Sequence, residues 1–169
     1  MARVTEHPAS VQADAERQRS LIQVVLEGEK RQLSPLQQAD QEQAVRDLAA
    51  ANLFAPRDFA GPFLLHLSIV EGRLIFDVRD ERDSPLMALG LALGPFRRLI
   101  KDYQLLVESY AHAIQDGREA SIQAIDMGRR GLHNEGAELM VARLTGKVDL
   151  DFETARRLFT LVCVLHQRI

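Results

Sequence analysis

The chain has 169 residues, 46% of them hydrophobic and 27% charged, a balance ordinary for globular proteins that argues against a disordered, fibrous or membrane class. A formal net charge of -3 argues against a dedicated nucleic-acid binder, because such domains carry a marked excess of Lys and Arg. No apolar run approaches the roughly eighteen residues of a membrane span, and the single cysteine, Cys163, excludes an intramolecular disulfide and fits a reducing compartment.

Residues 1–19 carry few large apolar side chains, so they are expected to form a disordered or frayed tail with at most a transient helix, and 20–169 a single α+β domain. The stretch from Glu6 through Arg19 is polar and lacks the apolar segment of a signal peptide, which places the expected location in the cytoplasm. Leu21 to Leu26 is short, apolar and β-branched and reads as a strand. Ser34-Pro35 then starts a helix, Ser34 as N-cap and Pro35 at the first helical position, where its missing N–H costs nothing. Leu36, Ala44, Val45 and Leu48 give that helix a thin apolar stripe up to about Asn52, predicting an amphipathic helix lying on the surface.

Phe63 to Arg79 holds two alternating apolar runs separated by Glu71-Gly72, the pattern of a β-hairpin whose glycine supplies a positive φ. Leu86 to Leu93 follows a turn-rich segment and reads as a third strand of an antiparallel meander, to which Leu21–Leu26 is a candidate fourth. From Pro95 the period becomes helical, with Phe96, Leu99, Ile100, Tyr103, Leu106, Val107, Tyr110 and Ile114 spaced by three and four up to Gly117. A second helical stretch runs from about Ser121 towards Leu144. A third runs from Asp151, an N-cap, through Leu165, with apolar residues nearly encircling it. The predicted fold class is therefore α+β: an antiparallel sheet of three to four strands packed against about four helices, the last three C-terminal.

No Walker, dinucleotide-binding, nucleophile-elbow, HExxH or paired CxxC motif occurs, which removes the strongest arguments for the common nucleotide, hydrolase and zinc chemistries. The most unusual segment is Asp126 to Gly136, whose three glycines would each cost a helix about 1 kcal/mol relative to Ala. In one reading, favoured by glycine's strength as a breaker, the helix ends at Gly128 or Gly131 and Arg129 and His133 sit on a surface turn. In a second, the helix continues, Ile122, Ile125, Leu132, Leu139 and Met140 share one face, and Arg129 within that arc braces a buried carboxylate. A third keeps the helix and makes Arg129 and His133 part of a ligand or catalytic site.

Arginine doublets recur at Arg97-Arg98, Arg129-Arg130 and Arg156-Arg157. Guanidinium groups suit phosphate and carboxylate, so convergence would make an anion site, whereas solvated pairs such as Arg98 with Asp102 are the plain alternative. The candidate ligand-binding residues are Arg129, His133, Arg130, Arg156 and Arg97; catalytic residues are unassigned. A metal site from His133, Glu135, Cys163 and His166 is disfavoured because helical spacing alone does not aim ligands at one point. No metal or other cofactor is expected. His66, in a strand, reads as a packed or exposed side chain, and Cys163, among apolar neighbours, as a buried and inert thiol.

At PFRRLIKDY (Pro95 to Tyr103), AIDMGRRGLHNEGAELM (Ala124 to Met140) and DFETARRLFTLVCVLH (Asp151 to His166), together with NLFAPRDFAGPFLLHLSIVEGRLIFDVRD (Asn52 to Asp80), the chain resembles a family of short uncharacterised proteins found mainly in alphaproteobacteria. The resemblance spans roughly Gln37 to Arg168, and the N-terminal tail departs from it. It implies a bacterial cytoplasmic protein and supplies no functional residues to carry over.

The absent catalytic motifs and the amphipathic helix favour a non-enzymatic regulatory or protein-interaction domain, with a protein partner or a homo-oligomer as its contact. The rival is an enzyme or sensor for a small anionic, phosphate- or carboxylate-bearing molecule held by Arg129, His133 and Arg156. That rival requires a concave site where these three converge, and it fails if Arg129 and Arg156 lie on separate solvated faces. Nucleic acid and membrane are not expected partners.

Overall fold

The computed structural model describes residues 8–28 and 32–166. Pro8–Arg17 forms helix α1, in which no residue is buried. Leu21–Leu26 forms strand β1, and Pro35–Ala50 forms helix α2. The start of α2 follows local chemistry: Ser34 Oγ accepts from the Gln37 N–H at 3.3 Å, while Gln37 Oε1 accepts from the Ser34 N–H at 2.8 Å, so two donors that a helix start leaves unpaired are satisfied reciprocally. Leu36, Ala44 and Leu48 turn inward as the stripe predicts, but Val45 stays 46% exposed. Asp40 is buried on that inward face instead.

A short strand β2, Phe54–Pro56, precedes the hairpin of β3, Phe63–Val70, and β4, Arg73–Arg79. Leu65 pairs with Val78, Leu67 with Phe76 and Ile69 with Leu74, which puts the alternate apolar side chains of both strands on the core face. The two-residue loop holds both Glu71 and Gly72 at positive φ, 50° and 73°, the handedness that matches the twist of the flanking strands. Strand β5, Pro85–Ala92, completes the meander.

The sheet order is β1-β3-β4-β5, with β1 parallel to β3. The expected fourth strand is thus present, but the sheet is mixed and not antiparallel throughout. Between β1 and β3 the chain passes through α2, and a strand that returns after a helical crossover lies parallel to its predecessor. A second sheet pairs β2 antiparallel with β6, Val148–Leu150, two three-residue strands too short for the sequence pattern to reveal.

After a single 3-10 turn at Gly94–Phe96 come helix α3, Arg97–Asp116, helix α4, Glu119–Leu144, and, beyond β6, helix α5, Phe152–His166. Gly117, at φ 66°, closes α3, where a residue without Cβ adopts the left-handed conformation freely. Asp151 Oδ1 accepts from the Thr154 N–H at 2.8 Å and caps α5. Helix α4 is continuous, so the readings that keep the helix hold and a break at Gly128 or Gly131 does not occur. Gly136 explains part of the tolerance: a Cβ there would collide with the Phe159 ring, so the glycine lets α4 and α5 approach closely.

Helix α5 is the centre of the core. Every residue from Leu158 to Leu165 is buried, Cys163 among them, and the helix packs on β3 and against α2, α3 and α4. The architecture is α+β, with five helices among the described residues and the last three C-terminal.

Candidate functional site

Three helices supply one polar cleft. From α2 come Asp40, Gln43, Ala44 and Asp47; from α4, Arg129 and His133; from α5, Arg156, Arg157 and Thr160, around a volume of about 100 Å³. Continuity of α4 is what makes this possible. Arg129 and His133 are one helical turn apart, so an unbroken helix puts both on the face turned towards α2 and α5.

Asp40 anchors the floor. It is 6% exposed, it accepts a 2.7 Å hydrogen bond from the Tyr103 hydroxyl on Oδ2, and it pairs through Oδ1 with Arg129. Arg129 also reaches Asp126 Oδ1 at 3.2 Å. Burial raises the Asp40 carboxyl above the usual aspartate value, against the lowering effect of the Tyr103 hydrogen bond and of Arg129. Burial and the neighbouring Asp40 carboxylate also push the Tyr103 hydroxyl up, so it remains a donor. The structural role foreseen for Arg129 is therefore present, with Asp40 as the buried carboxylate.

The other wall carries cations on exposed partners. Arg156 donates to Glu153 Oε2 at 2.9 Å, and Arg157 reaches the same oxygen at 2.9 Å. Arg157 Nε lies 3.3 Å from Asp47 Oδ2. Together these pairs set three guanidinium groups against Asp40, Asp47, Asp126 and Glu153, so the cleft carries no excess positive charge.

His133 lies between the two walls. It is 6% exposed, its ring sits 5.6 Å from the Tyr103 ring and 6.2 Å from the Phe159 ring, and its Nδ1 lies 3.4 Å from Thr160 Oγ1. Burial first, then the charges of Arg129 and Arg156, depress its pKa to about 3, so the imidazole is neutral near pH 7. His133 Nε2, Arg129 Nε, Arg156 Nε and Arg157 Nε are buried without a hydrogen-bond partner among the described residues, the last still within ion-pair distance of Asp47. Such orphans are uncommon, because each costs about 1–3 kcal/mol of desolvation.

Of the five candidate ligand residues, Arg129, His133 and Arg156 line this cleft. Arg130 is exposed on α4, outside the lining. Arg97 is exposed at the start of α3, near Gly72 and His166 rather than the cleft. The four residues considered for a metal diverge. Glu135 bonds Arg98, Cys163 is buried in the core, and His166 contacts Gln104 at 3.2 Å. Among the described residues no three His, Cys, Asp or Glu side chains come together as a metal-holding group. Sequence reasoning passed over Asp40, Asp47, Tyr103 and Thr160. The signal for Asp40 was available, since it continues the four-residue spacing of Leu36, Ala44 and Leu48 on the inward stripe of α2.

Fold and cleft define an α+β protein with a buried, charge-balanced polar site at the junction of three helices. By sequence the chain belongs to an uncharacterised protein family, UPF0262, whose model matches residues 18–168, reaching further towards the N-terminus than the stretch carrying the resemblance. A UPF0262 protein of Granulibacter bethesdensis is 65% identical over 88% of this chain and 90% of its own length. One of Acidiphilium cryptum is 65% identical over 80% and 85% of the two chains, and one of Paramagnetospirillum magneticum 52% over 83% and 91%. No solved structure matches.

Proposed function

We propose that the cleft between α2, α4 and α5 binds a small anionic molecule, with Arg129 and Arg156 as donors to the anion and His133 beside them. One observation carries this reading: four buried polar atoms without a hydrogen-bond partner among the described residues, Arg129 Nε, Arg156 Nε, Arg157 Nε and His133 Nε2, belong to residues lining a single cleft. A volume of about 100 Å³ is several times the roughly 10–15 Å³ that one water needs and well below the 300 Å³ or more typical of drug-sized ligands. The balance of arginines and carboxylates favours a compact monoanion over a polyphosphate, whose charge would meet Asp40 and Asp47.

Thermal melting tests the reading, because a ligand that binds only the folded state stabilises it. At a hundredfold excess over Kd the gain is about 2.7 kcal/mol, several degrees for a chain of this size. Small carboxylates and oxyanions are expected to raise Tm of the wild type and to lose that effect in Arg156→Gln, whose protein ion pair is with the exposed Glu153. If no such anion shifts the wild type, the reading falls.

A second reading, contact with another protein, is favoured by a different place. Leu21, Ile22 and Val24 of β1 and Val45, Leu48 and Ala49 of α2 line an apolar groove of about 190 Å³ beside β1, an edge strand of the sheet. Ile22 and Val45 are 44% and 46% exposed there. Sedimentation across a concentration series, wild type against Val45→Glu, tests it, and a monomer at every concentration counts against self-association. Cytoplasmic location belongs to the same proposal, supported by the buried free thiol of Cys163. Among the described residues no helix is long and apolar enough to cross a membrane.

A further inference from the structure

The hydrogen bonds around His133 narrow the ligand class, given the reading of the cleft as a ligand site. Thr160 has one hydroxyl proton, and Oγ1 donates it to the Arg156 carbonyl oxygen at 3.0 Å. Its contact with His133 Nδ1 at 3.4 Å is therefore made with Nδ1–H as the donor. In a neutral imidazole the other nitrogen then holds a lone pair, so the buried and unpartnered Nε2 is an acceptor waiting for a donor. The positive charges of Arg129 and Arg156 oppose a second ring proton.

The three unpartnered arginine Nε–H groups, of Arg129, Arg156 and Arg157, are donors and can be nothing else. Asp40 and Asp47, which also line the cleft, are acceptors when ionised. The occupant therefore has to accept from Arg129 and Arg156 and donate to His133 at the same time. A fully ionised oxyanion meets the first requirement and fails the second, because it would set oxygen lone pairs against the Nε2 lone pair.

We infer that the cleft selects a compact oxyacid monoanion that keeps a hydrogen-bond donor of its own, a proton-bearing oxyanion or a 2-hydroxycarboxylate, over a fully ionised anion of similar size. His133 Nε2 reads the donor, and Arg129 with Arg156 reads the anion. A site that must pair a buried polar group discriminates strongly against an analogue lacking the matching group.

The experiment is calorimetric titration of the full chain at pH 6.5 with two pairs of probes, inorganic phosphate against sulfate and glycolate against acetate. The donor-bearing member of at least one pair is expected to bind about tenfold tighter or more, and that ratio is expected to fall towards one in His133→Phe, which keeps a ring against Tyr103 and Phe159. Discrimination in the phosphate pair alone identifies a proton-bearing oxyanion, and in the glycolate pair alone a hydroxy acid. Equal binding within both pairs overturns the inference and leaves the site standing. Binding of none of the four to the wild type overturns both, and a ratio that persists in His133→Phe removes His133 as its source. Should His133→Phe not fold, nitrogen NMR of the wild-type imidazole decides: Nε2 is expected to be unprotonated in the free protein and to shift with the donor-bearing probes but not with sulfate. A proton on Nε2 overturns the inference.

Discussion

Two histidines of this protein, one half-buried and one buried, have opposite surroundings. His66, on β3, has both ring nitrogens engaged by carboxylates, Nδ1 with Glu27 at 2.7 Å and Nε2 with Asp83 at 3.0 Å, and Asp83 is tied in turn to Arg79 at 3.2 Å. His133, on α4, has guanidinium groups for neighbours, one long contact to Thr160, and an Nε2 without a partner. The first is complete within the chain. The second is not, and the count of satisfied hydrogen bonds marks the difference.

The largest expected effect is that of acid on His133. The folded pKa of His133 lies at about 3 against an ordinary 6.5, so protonation favours the unfolded chain. Its contribution to stability is complete above about pH 6.5 and is lost as pH falls towards 3, by a total on the order of 5 kcal/mol. Asp40, with its carboxyl raised by burial, acts in the opposite direction, since protonation there favours the folded chain. Urea unfolding of wild type and His133→Phe across that range isolates the histidine, and identical pH profiles would refute its assignment as a buried neutral base.

Removing the anchor of the cleft comes next. Asp40→Leu leaves Arg129 without its buried partner and is expected to cost about 3–5 kcal/mol, while Asp40→Leu with Arg129→Met, which takes both charges away, is expected to recover most of it. A single variant as stable as the wild type in urea would mean that the pair does not brace the cleft. The close approach of α4 to α5 is probed by Gly136→Ala, expected to destabilise by about 1–3 kcal/mol through the clash with Phe159,. Gly131→Ala, with nothing within 4 Å of the new Cβ, is expected to stabilise by up to about 1 kcal/mol. Calorimetric melting of both should move Tm in opposite directions.

The smallest effect belongs to the saturated histidine. The carboxylates of Glu27 and Asp83 are each more than half exposed, so His66→Ala is expected to cost at most about 1 kcal/mol beyond lost packing. A loss of several kcal/mol in urea unfolding would place His66 with His133 among the buried sites.

Much of the fold was legible from periodicity. The Glu71-Gly72 hairpin, the Ser34-Pro35 helix start, the Gly117 stop, the Asp151 cap and the buried Cys163 each follow from interactions within a few residues or from an unbroken apolar run. The parallel pairing of β1 was not legible, because the alternation of a strand says which face it buries and not which neighbour it joins. Continuity of α4 stayed open for a related reason. Three glycines lower its intrinsic helicity, and part of the compensation comes from Phe159 on another element, which no local window contains.

The cleft divides in the same way. Sequence alone determined which residue types were available and, through helical spacing, that Arg129 and His133 share a face if the helix holds. Only the tertiary structure decided that α2 and α5 bring Asp40, Asp47, Arg156 and Thr160 to that face while Arg97 and Arg130 remain in solvent. Propensity and periodicity act over one or two turns of chain, whereas the distances that make a site join residues such as Asp40 and Arg129, 89 positions apart, and are set by packing around α5.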